Sequence, residues 1–295
     1  MRRYRGAVSD EGPPPDIFRR VPDPLTAARP RVARRETGPD FVGVGVQRAG
    51  STWVADVLRQ HPGIWLREKE ISFFTRHYHK GWKWYEAHFD ARAGRAAGEF
   101  SVNYFYAPRP HGTSREFYPW WNPRRKLQFW RKLPSPRDML AQRYPDLRVF
   151  VVLRNPVERA WSHYWYWIGR RTRPGRHWIP KRTAPFERMF RADGRWIATQ
   201  GCYADHLAHW RQAFPEIGVF FYDDLRERPA ELARGLYRFV GVDPGFAPKL
   251  DQRINARDYE PMPPALRRTL IAHYREQVER LEPMVGRDLS GWLRE

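Results

Sequence analysis

Beyond residue 40 the apolar positions fall into two alternating patterns. Residues 41–46, Phe-Val-Gly-Val-Gly-Val, form a continuous apolar run of the kind a strand shows when it is buried on both faces of a parallel sheet. Gln47-Arg48-Ala49-Gly50-Ser51-Thr52 interrupts it, and Trp53, Val54, Val57 and Leu58 then recur at helical spacing until His61-Pro62-Gly63. The order strand, glycine loop, helix repeats at residues 148–154, where an apolar strand ends in Arg154. Asn155-Pro156 follows, and then a helix carrying Val157, Trp161, Tyr164 and Ile168. A third strand is predicted at 219–222 before Asp223-Asp224, with a helix that Pro229 opens and that carries Leu232, Leu236 and Val240. Apolar residues three or four apart predict further helices at 203–214 and 264–281. Strands alternating with helices imply an α/β fold with a central, mainly parallel sheet flanked by helices in three layers.

Two stretches break this rhythm. Residues 115–132 and 170–188 mix Trp, Tyr and Phe with clustered Arg and Lys and with Pro and Gly, and they read as long loops of functional character. Residues 1–39 have no apolar periodicity and hold seven prolines and nine arginines against five acids, which predicts a disordered basic tail. The domain organisation expected is thus a tail over 1–39 and one domain over 40–295, with aromatic-basic insertions near 106–135 and 165–196.

Composition sharpens the picture. The 295 residues carry 53 Lys+Arg against 33 Asp+Glu, a net charge of +20, of which the tail supplies only +4. The body therefore faces an anionic partner or substrate. One cysteine, Cys202, excludes an intramolecular disulfide and fits a reducing, cytoplasmic setting. No run of about 18 apolar residues predicts a membrane span. The pair Arg34-Arg35 precedes an apolar run too short for a signal sequence.

Gly45-x-x-x-x-Gly50-Ser51-Thr52 has the spacing of a phosphate-binding loop, in which backbone N–H groups and a helix N-terminus converge on an anion. The lysine that usually follows the second glycine is replaced by Ser51, and the nearest cation is Arg48. The neighbouring strand ends in Arg154 where a nucleoside triphosphatase would commonly hold Mg²⁺ with Asp. The loop therefore suits a nucleotide held by cations without a metal. A nucleotide kinase or triphosphatase remains as the alternative enzyme, and a nucleic-acid-binding protein as the alternative outside enzymes.

Read together, the motifs resemble a known family. Gly45-Val-Gln-Arg-Ala-Gly-Ser-Thr-Trp53 resembles the 5′-phosphosulfate loop of sulfotransferases that use 3′-phosphoadenosine 5′-phosphosulfate (PAPS), and Leu153-Arg-Asn-Pro-Val-Glu-Arg-Ala-Trp-Ser-His-Tyr164 resembles their 3′-phosphate motif. Glu68-Lys-Glu-Ile-Ser-Phe-Phe74, His77-Tyr-His-Lys-Gly-Trp-Lys-Trp-Tyr85 and Gly98-Glu-Phe-Ser-Val-Asn-Tyr-Phe105 are similar to the heparan sulfate N- and 3-O-sulfotransferase branch and its bacterial relatives. So are Tyr222-Asp-Asp-Leu225, Phe239-Val-Gly-Val242 and Gly286-Arg-Asp-Leu-Ser-Gly-Trp292. The resemblance covers roughly residues 40 to 294. It implies a P-loop-type fold and transfer of a sulfuryl group from PAPS, leaving 3′,5′-adenosine bisphosphate (PAP), with no metal.

By the same resemblance, Gln47, Arg48, Ala49, Gly50, Ser51 and Thr52 would hold the 5′-phosphosulfate, Arg154 and Ser162 the 3′-phosphate, and Trp53 would pack either on adenine or in the core. Asn255 and Arg257 sit where the family often closes a loop over the donor. By analogy with phosphoryl transfer, in-line displacement asks the protein for positioning and charge stabilisation, with Arg48 beside the leaving phosphate. Glu70 is the implied general base, with Glu68, His77 and His79 as fallbacks. Glu68, Lys69, His77, Trp120 and Trp121 are the expected acceptor contacts. The sequence departs from the pattern at Arg48, Phe100 and Ser72, where the branch has lysine, lysine and histidine. The first keeps the charge; the others loosen the tie to heparan. The expected acceptor is a hydroxyl or amine of a carbohydrate or natural product, since bacterial members include tailoring enzymes of secondary metabolism.

Overall fold

The computed structural model describes residues 25–26, 34–106, 135–171, 185–191, 196–250 and 259–295. Its sheet has five strands, all parallel: β1 Phe41–Gly45, β2 Ile64–Trp65, β3 Ala96–Phe100, β4 Arg148–Leu153 and β5 Gly218–Phe221. Their order across the sheet is β2-β3-β1-β4-β5. The described helices are α1 Ser51–Gln60, α2 Gly81–Glu86, α3 Pro136–Arg143, α4 Pro156–Arg171, α5 Phe186–Arg191, α6 Trp196–Thr199, α7 Tyr203–Arg211, α8 Tyr222–Glu227, α9 Pro229–Val240 and α10 Pro264–Val285. The protein has the predicted α/β architecture.

The apolar runs explain the central strands. Every residue of β1, β4 and β5 is buried, as a parallel strand covered by helices on both faces requires. α1 packs on α9, and α10 on α4 and α7, so each helix hides one apolar stripe against a neighbour or the sheet. β2 and β3 escaped the sequence reading. Ala96-Ala-Gly-Glu-Phe100 carries three small residues and a charge, yet all five positions are buried between β1 and β2. Small residues there let the strands and the Phe41 and Phe100 rings crowd together, a tertiary effect that strand propensity does not reveal.

The expected aromatic-basic loops fall mostly outside the described residues, and Trp120 and Trp121 with them. At their edges the structure is more regular than expected: α4 runs on to Arg171, and residues 186–191 form α5. Stacked contacts of Trp161 with Tyr164 and packing of both against Phe186 supply the reason, because these rings gain burial only if both segments are helical.

Within the stretch read as a tail, Arg34 donates to the Gly241 carbonyl at 2.6 Å, and Arg35 N–H donates to Asp40 Oδ1 at 2.9 Å. Asp40 is the knot that starts β1. Its Oδ2 accepts from the Ala97 N–H at 2.8 Å and from Arg92 Nη1 at 3.2 Å, and Arg92 in turn donates to the carbonyls of Arg35, Gly38 and Phe89. Both side chains of this ion pair are 7% exposed. Removing one partner strands the other charge in low dielectric, so Asp40→Asn is expected to cost about 3 kcal/mol. Urea unfolding measures this; a loss under about 1 kcal/mol would show that Arg92 is satisfied by its carbonyls alone.

Candidate active site

The chain runs β1, β2, β3 outward on one side and then crosses to β4 and β5 on the other, so the sheet's switch point lies between β1 and β4. In such sheets the crevice beyond the carboxyl ends of the two strands is the natural ligand site. The loop after β1 and the turn after β4 carry Arg48 and Arg154 to that crevice.

Local chemistry shapes each loop. Arg48 and Gly50 adopt left-handed backbone, φ 69° and 77°. A Cβ at Gly50 would lie 2.6 Å from Leu225 Cδ1 and 3.2 Å from the Tyr222 ring, so only glycine allows α8 to close on the loop. α1 then begins at Ser51 with no side-chain cap and no acidic residue in its first turn, which leaves its N-terminal N–H groups and positive dipole end uncompensated. After β4, the Asn155 side chain accepts from Val157 N–H at 2.9 Å and Pro156 opens α4, so Asn-Pro ends the strand at Arg154 and aims the next helix.

The structure brings most of the predicted residues together. Arg48 Nε donates to Ser162 Oγ at 3.1 Å, and its guanidinium lies over the Tyr166 ring. Arg154 Nη1 donates to the Arg48 carbonyl at 3.0 Å, its guanidinium stacks on Tyr222 at 4.5 Å, and its own carbonyl accepts from Tyr203 Oη at 2.9 Å. Gln47 donates through Nε2 to Asn103 Oδ1 and through its N–H to Tyr106 Oη, tying the glycine loop to the segment after β3. Ala49 and Ser51 are buried in the loop. Trp53 is 6% exposed and belongs to the hydrophobic core.

Glu70 reaches the same region through Lys69. Lys69 Nζ lies 3.0 Å from Glu70 Oε1 and 3.4 Å from Thr52 Oγ1 in the first turn of α1. The cation that Phe100 fails to provide is thus present from the adjacent loop. Glu68 is half exposed and turns away toward His88, at 3.7 Å, while the His77 ring packs against Trp84. Asn255 and Arg257 lie outside the described residues. Among the described residues no cluster of His, Cys, Asp and Glu is arranged to hold a metal ion, and no helix is long and apolar enough to cross a membrane.

Pattern reading gave no role to Glu99, which is fully buried beneath Glu70 in the chain's path. Its carboxylate accepts from Tyr85 Oη at 2.7 Å, Ile71 N–H at 3.2 Å, Tyr104 Oη at 3.2 Å and Ser101 Oγ. Phe100 N–H donates to the Lys69 carbonyl at 2.7 Å and Ser72 N–H to Ser101 Oγ at 3.0 Å, so β3 fixes the backbone on both sides of Glu70. The signal in the sequence was a lone acid inside an otherwise apolar Ala-Ala-Gly-x-Phe strand.

Comparison with known proteins agrees with this geometry. The sulfotransferase domain family model matches residues 38–262. The chain belongs to the sulfotransferase family. It is 28% identical to the Homo sapiens heparan sulfate glucosamine 3-O-sulfotransferase 6 over 287 residues, covering 88% of this chain and 75% of that one. It is 24% identical to the Mus musculus bifunctional heparan sulfate N-deacetylase/N-sulfotransferase 3 over 87% of this chain, but over only 31% of that longer protein. The crystal structure of a sulfotransferase from Alicyclobacillus acidocaldarius superposes with a TM-score of 0.66 at 24% identity, covering 89% of this chain and all of the other, and it shares the fold. The protein is thus a sulfotransferase enzyme, and the crevice between β1 and β4 is its candidate active site.

Burial pushes Glu99 from an ordinary 4.5 to about 7, against the hydrogen bonds from Ser101, Tyr85, Ile71 and Tyr104 that pull it down. Between those two values the folded sulfotransferase holds a proton on Glu99 that the unfolded chain has released. Stability therefore falls as pH rises through that window and levels off above it. Urea unfolding at about pH 5 and about pH 8 should differ by on the order of 3 kcal/mol from this group, and Glu99→Gln should remove most of that difference. An unchanged pH slope in the variant would show that Glu99 is ionised throughout.

Proposed function

We propose that this sulfotransferase takes its sulfuryl group from PAPS and delivers it to a hydroxyl or amine of a carbohydrate or natural-product acceptor. The observation that carries the reading is the convergence of Arg48, Arg154 and Ser162 on the uncapped N-terminus of α1 at the sheet's switch point. That donor set contains cations, a hydroxyl and free backbone N–H groups and no carboxylate, which fits an anion-rich nucleotide and suits a Mg²⁺-bound triphosphate poorly.

In this reading the N–H groups at residues 49–52 and the Arg48 guanidinium hold the 5′-phosphosulfate, and Arg154 with Ser162 holds the 3′-phosphate. When bound, the donor supplies the sulfuryl group and a phosphate able to leave with the electron pair. Glu70 takes the acceptor's proton as its oxygen or nitrogen attacks. Lys69, between Glu70 and Thr52, keeps the carboxylate ionised and adds positive charge where negative charge gathers. The names of the relatives, which act on heparan sulfate, support a sugar acceptor. Asn255, Arg257, Trp120 and Trp121 complete the proposal as donor-closing and acceptor contacts. The single cysteine supports a reducing, cytoplasmic location.

PAP should raise the melting temperature without added metal, and Mg-ATP should not; the reverse pattern would establish the kinase or triphosphatase reading. With labelled PAPS and pooled sugar and natural-product acceptors, the product should gain one sulfuryl group by mass. Glu70→Gln should lower that turnover by about a hundredfold or more while PAP affinity stays within about twofold. Unchanged turnover would remove Glu70 as the base.

A further inference from the structure

Three residues before Ser162 on α4 lies Arg159, and its surroundings are unusual for a charged group. It is fully buried. Nη1 donates to Gln200 Oε1 at 3.0 Å and faces His163 Nδ1 at 3.3 Å, Nη2 donates to the Ile197 carbonyl at 2.5 Å, and Nε has no partner. Among the described residues no carboxylate touches it. The groups around it that could carry negative charge are Tyr106, Tyr203 and Tyr274, and burial pushes all three phenols upward, Tyr106 to about 12, so none ionises near neutrality.

The pocket around Arg159 is also short of acceptors. His163 receives the Trp167 indole N–H at Nε2, 2.8 Å away, while Arg159 presents an N–H to its Nδ1. A neutral imidazole has one lone pair for two donors. Protonation is no remedy, because burial and then the charges of Arg159 and Arg48 hold His163 well below its usual range. Gln200 Nε2 is buried without a partner as well. Unspent donors and an unpaired guanidinium in low dielectric are costly, on a scale that native proteins tolerate where a ligand supplies the missing charge.

The charge is directed at the crevice. Arg159 and Ser162 share a face of α4, one helical turn apart. Arg48, which hydrogen-bonds Ser162, acts on His163 together with Arg159. Tyr106, which receives the Gln47 N–H of the glycine loop, feels the charge of Arg159, and Tyr203, which holds the Arg154 carbonyl, feels both arginines. Arg48, Arg154 and Arg159 thus surround one volume.

We propose that Arg159 is a third, buried cation of the donor site, kept without a counter-charge so that the nucleotide's phosphates neutralise it through the low-dielectric protein, favouring a doubly phosphorylated nucleotide over a singly phosphorylated one. The proposal rests on the PAPS reading above. Arg159 acts through the field and through its hold on Gln200 and Ile197; it is a positioning and specificity residue.

The test supplies the missing counter-charge. Gln200→Glu is nearly isosteric and places a carboxylate on the guanidinium that Gln200 already touches. It should raise the melting temperature of the ligand-free protein and weaken PAP binding on the order of tenfold by calorimetry, with a smaller loss for adenosine 5′-monophosphate. Gln200→Met, neutral and of similar size, should weaken PAP much less than Gln200→Glu does. Equal losses in the two variants, or a Gln200→Glu protein with a lower melting temperature and unaltered PAP affinity, would overturn the proposal. Failure of the unsubstituted protein to bind PAP would instead overturn the donor reading, whereas the melting temperature of Gln200→Glu still reports whether Arg159 lacks a counter-charge.

Discussion

The parallel pairing of β1 with β4 is the constraint on which the site depends. Phe41 pairs with Arg148 and Gly43 with Phe150, and Val46 N–H still reaches the Val152 carbonyl at 3.0 Å as β1 gives way to the glycine loop. This register ends the two strands side by side. Two successive strand-loop-helix units therefore release their polar residues at one edge, and residues more than a hundred positions apart, Arg48 with Arg154 and Ser162, fall within hydrogen-bond reach. A slip of one residue would turn the buried faces of both strands outward, so the apolar core enforces the geometry of a site it never touches.

The remaining elements close around that edge by the same logic. α8 brings Tyr222 and Leu225 against Gly50, and Asp224 behind them pairs with Arg228 at 2.5 Å and Arg287 at 2.6 Å. Trp292 Nε1 donates to Asp223 and the Trp292 carbonyl accepts from Asn155, so the C-terminal Gly-Arg-Asp-Leu-Ser-Gly-Trp segment clamps the ends of β5 and β4 together. On the other flank, Glu99 ties the Glu70 loop to α2 and to the residues after β3, and those residues hold Gln47. Base and glycine loop are thereby parts of one hydrogen-bonded body, which is how a pocket avoids paying to order itself when it binds.

How much of this was legible in the sequence follows from the range of each interaction. Long apolar runs and helical periodicity exposed β1, β4, β5 and the large helices, because those signals are local. β3 was hidden because its strand character comes from burial between neighbours that accept only small side chains. The motifs of the glycine loop and of Leu153 to Tyr164 exposed Arg48, Arg154 and Ser162, since a phosphate site needs cations, hydroxyls and glycine at fixed spacing. Lys69 as a cation beside Thr52, Glu99 as the anchor of the base loop and Arg159 as a buried charge depend on contacts 17 to 41 residues apart, and no local pattern carries them.

The high net charge takes on a different sense in this light. Most arginines of the body are surface groups in exposed ion pairs such as Arg280 with Asp205 and Arg275 with Glu279, which contribute little to stability. The few that matter are those denied a carboxylate. Arg148 and Arg211 are buried too, but each donates to a backbone carbonyl, of Phe239 and of Met284, and serves packing far from the crevice. Arg159 has equally good backbone and amide partners at two of its nitrogens, yet it sits among Arg48, Arg154, a histidine kept neutral and tyrosines kept protonated. In water such a cluster would be screened to insignificance; walled by aromatic rings, its field reaches the crevice with little loss. The excess of positive charge acts through where counter-charge has been left out, more than through how many arginines the chain contains.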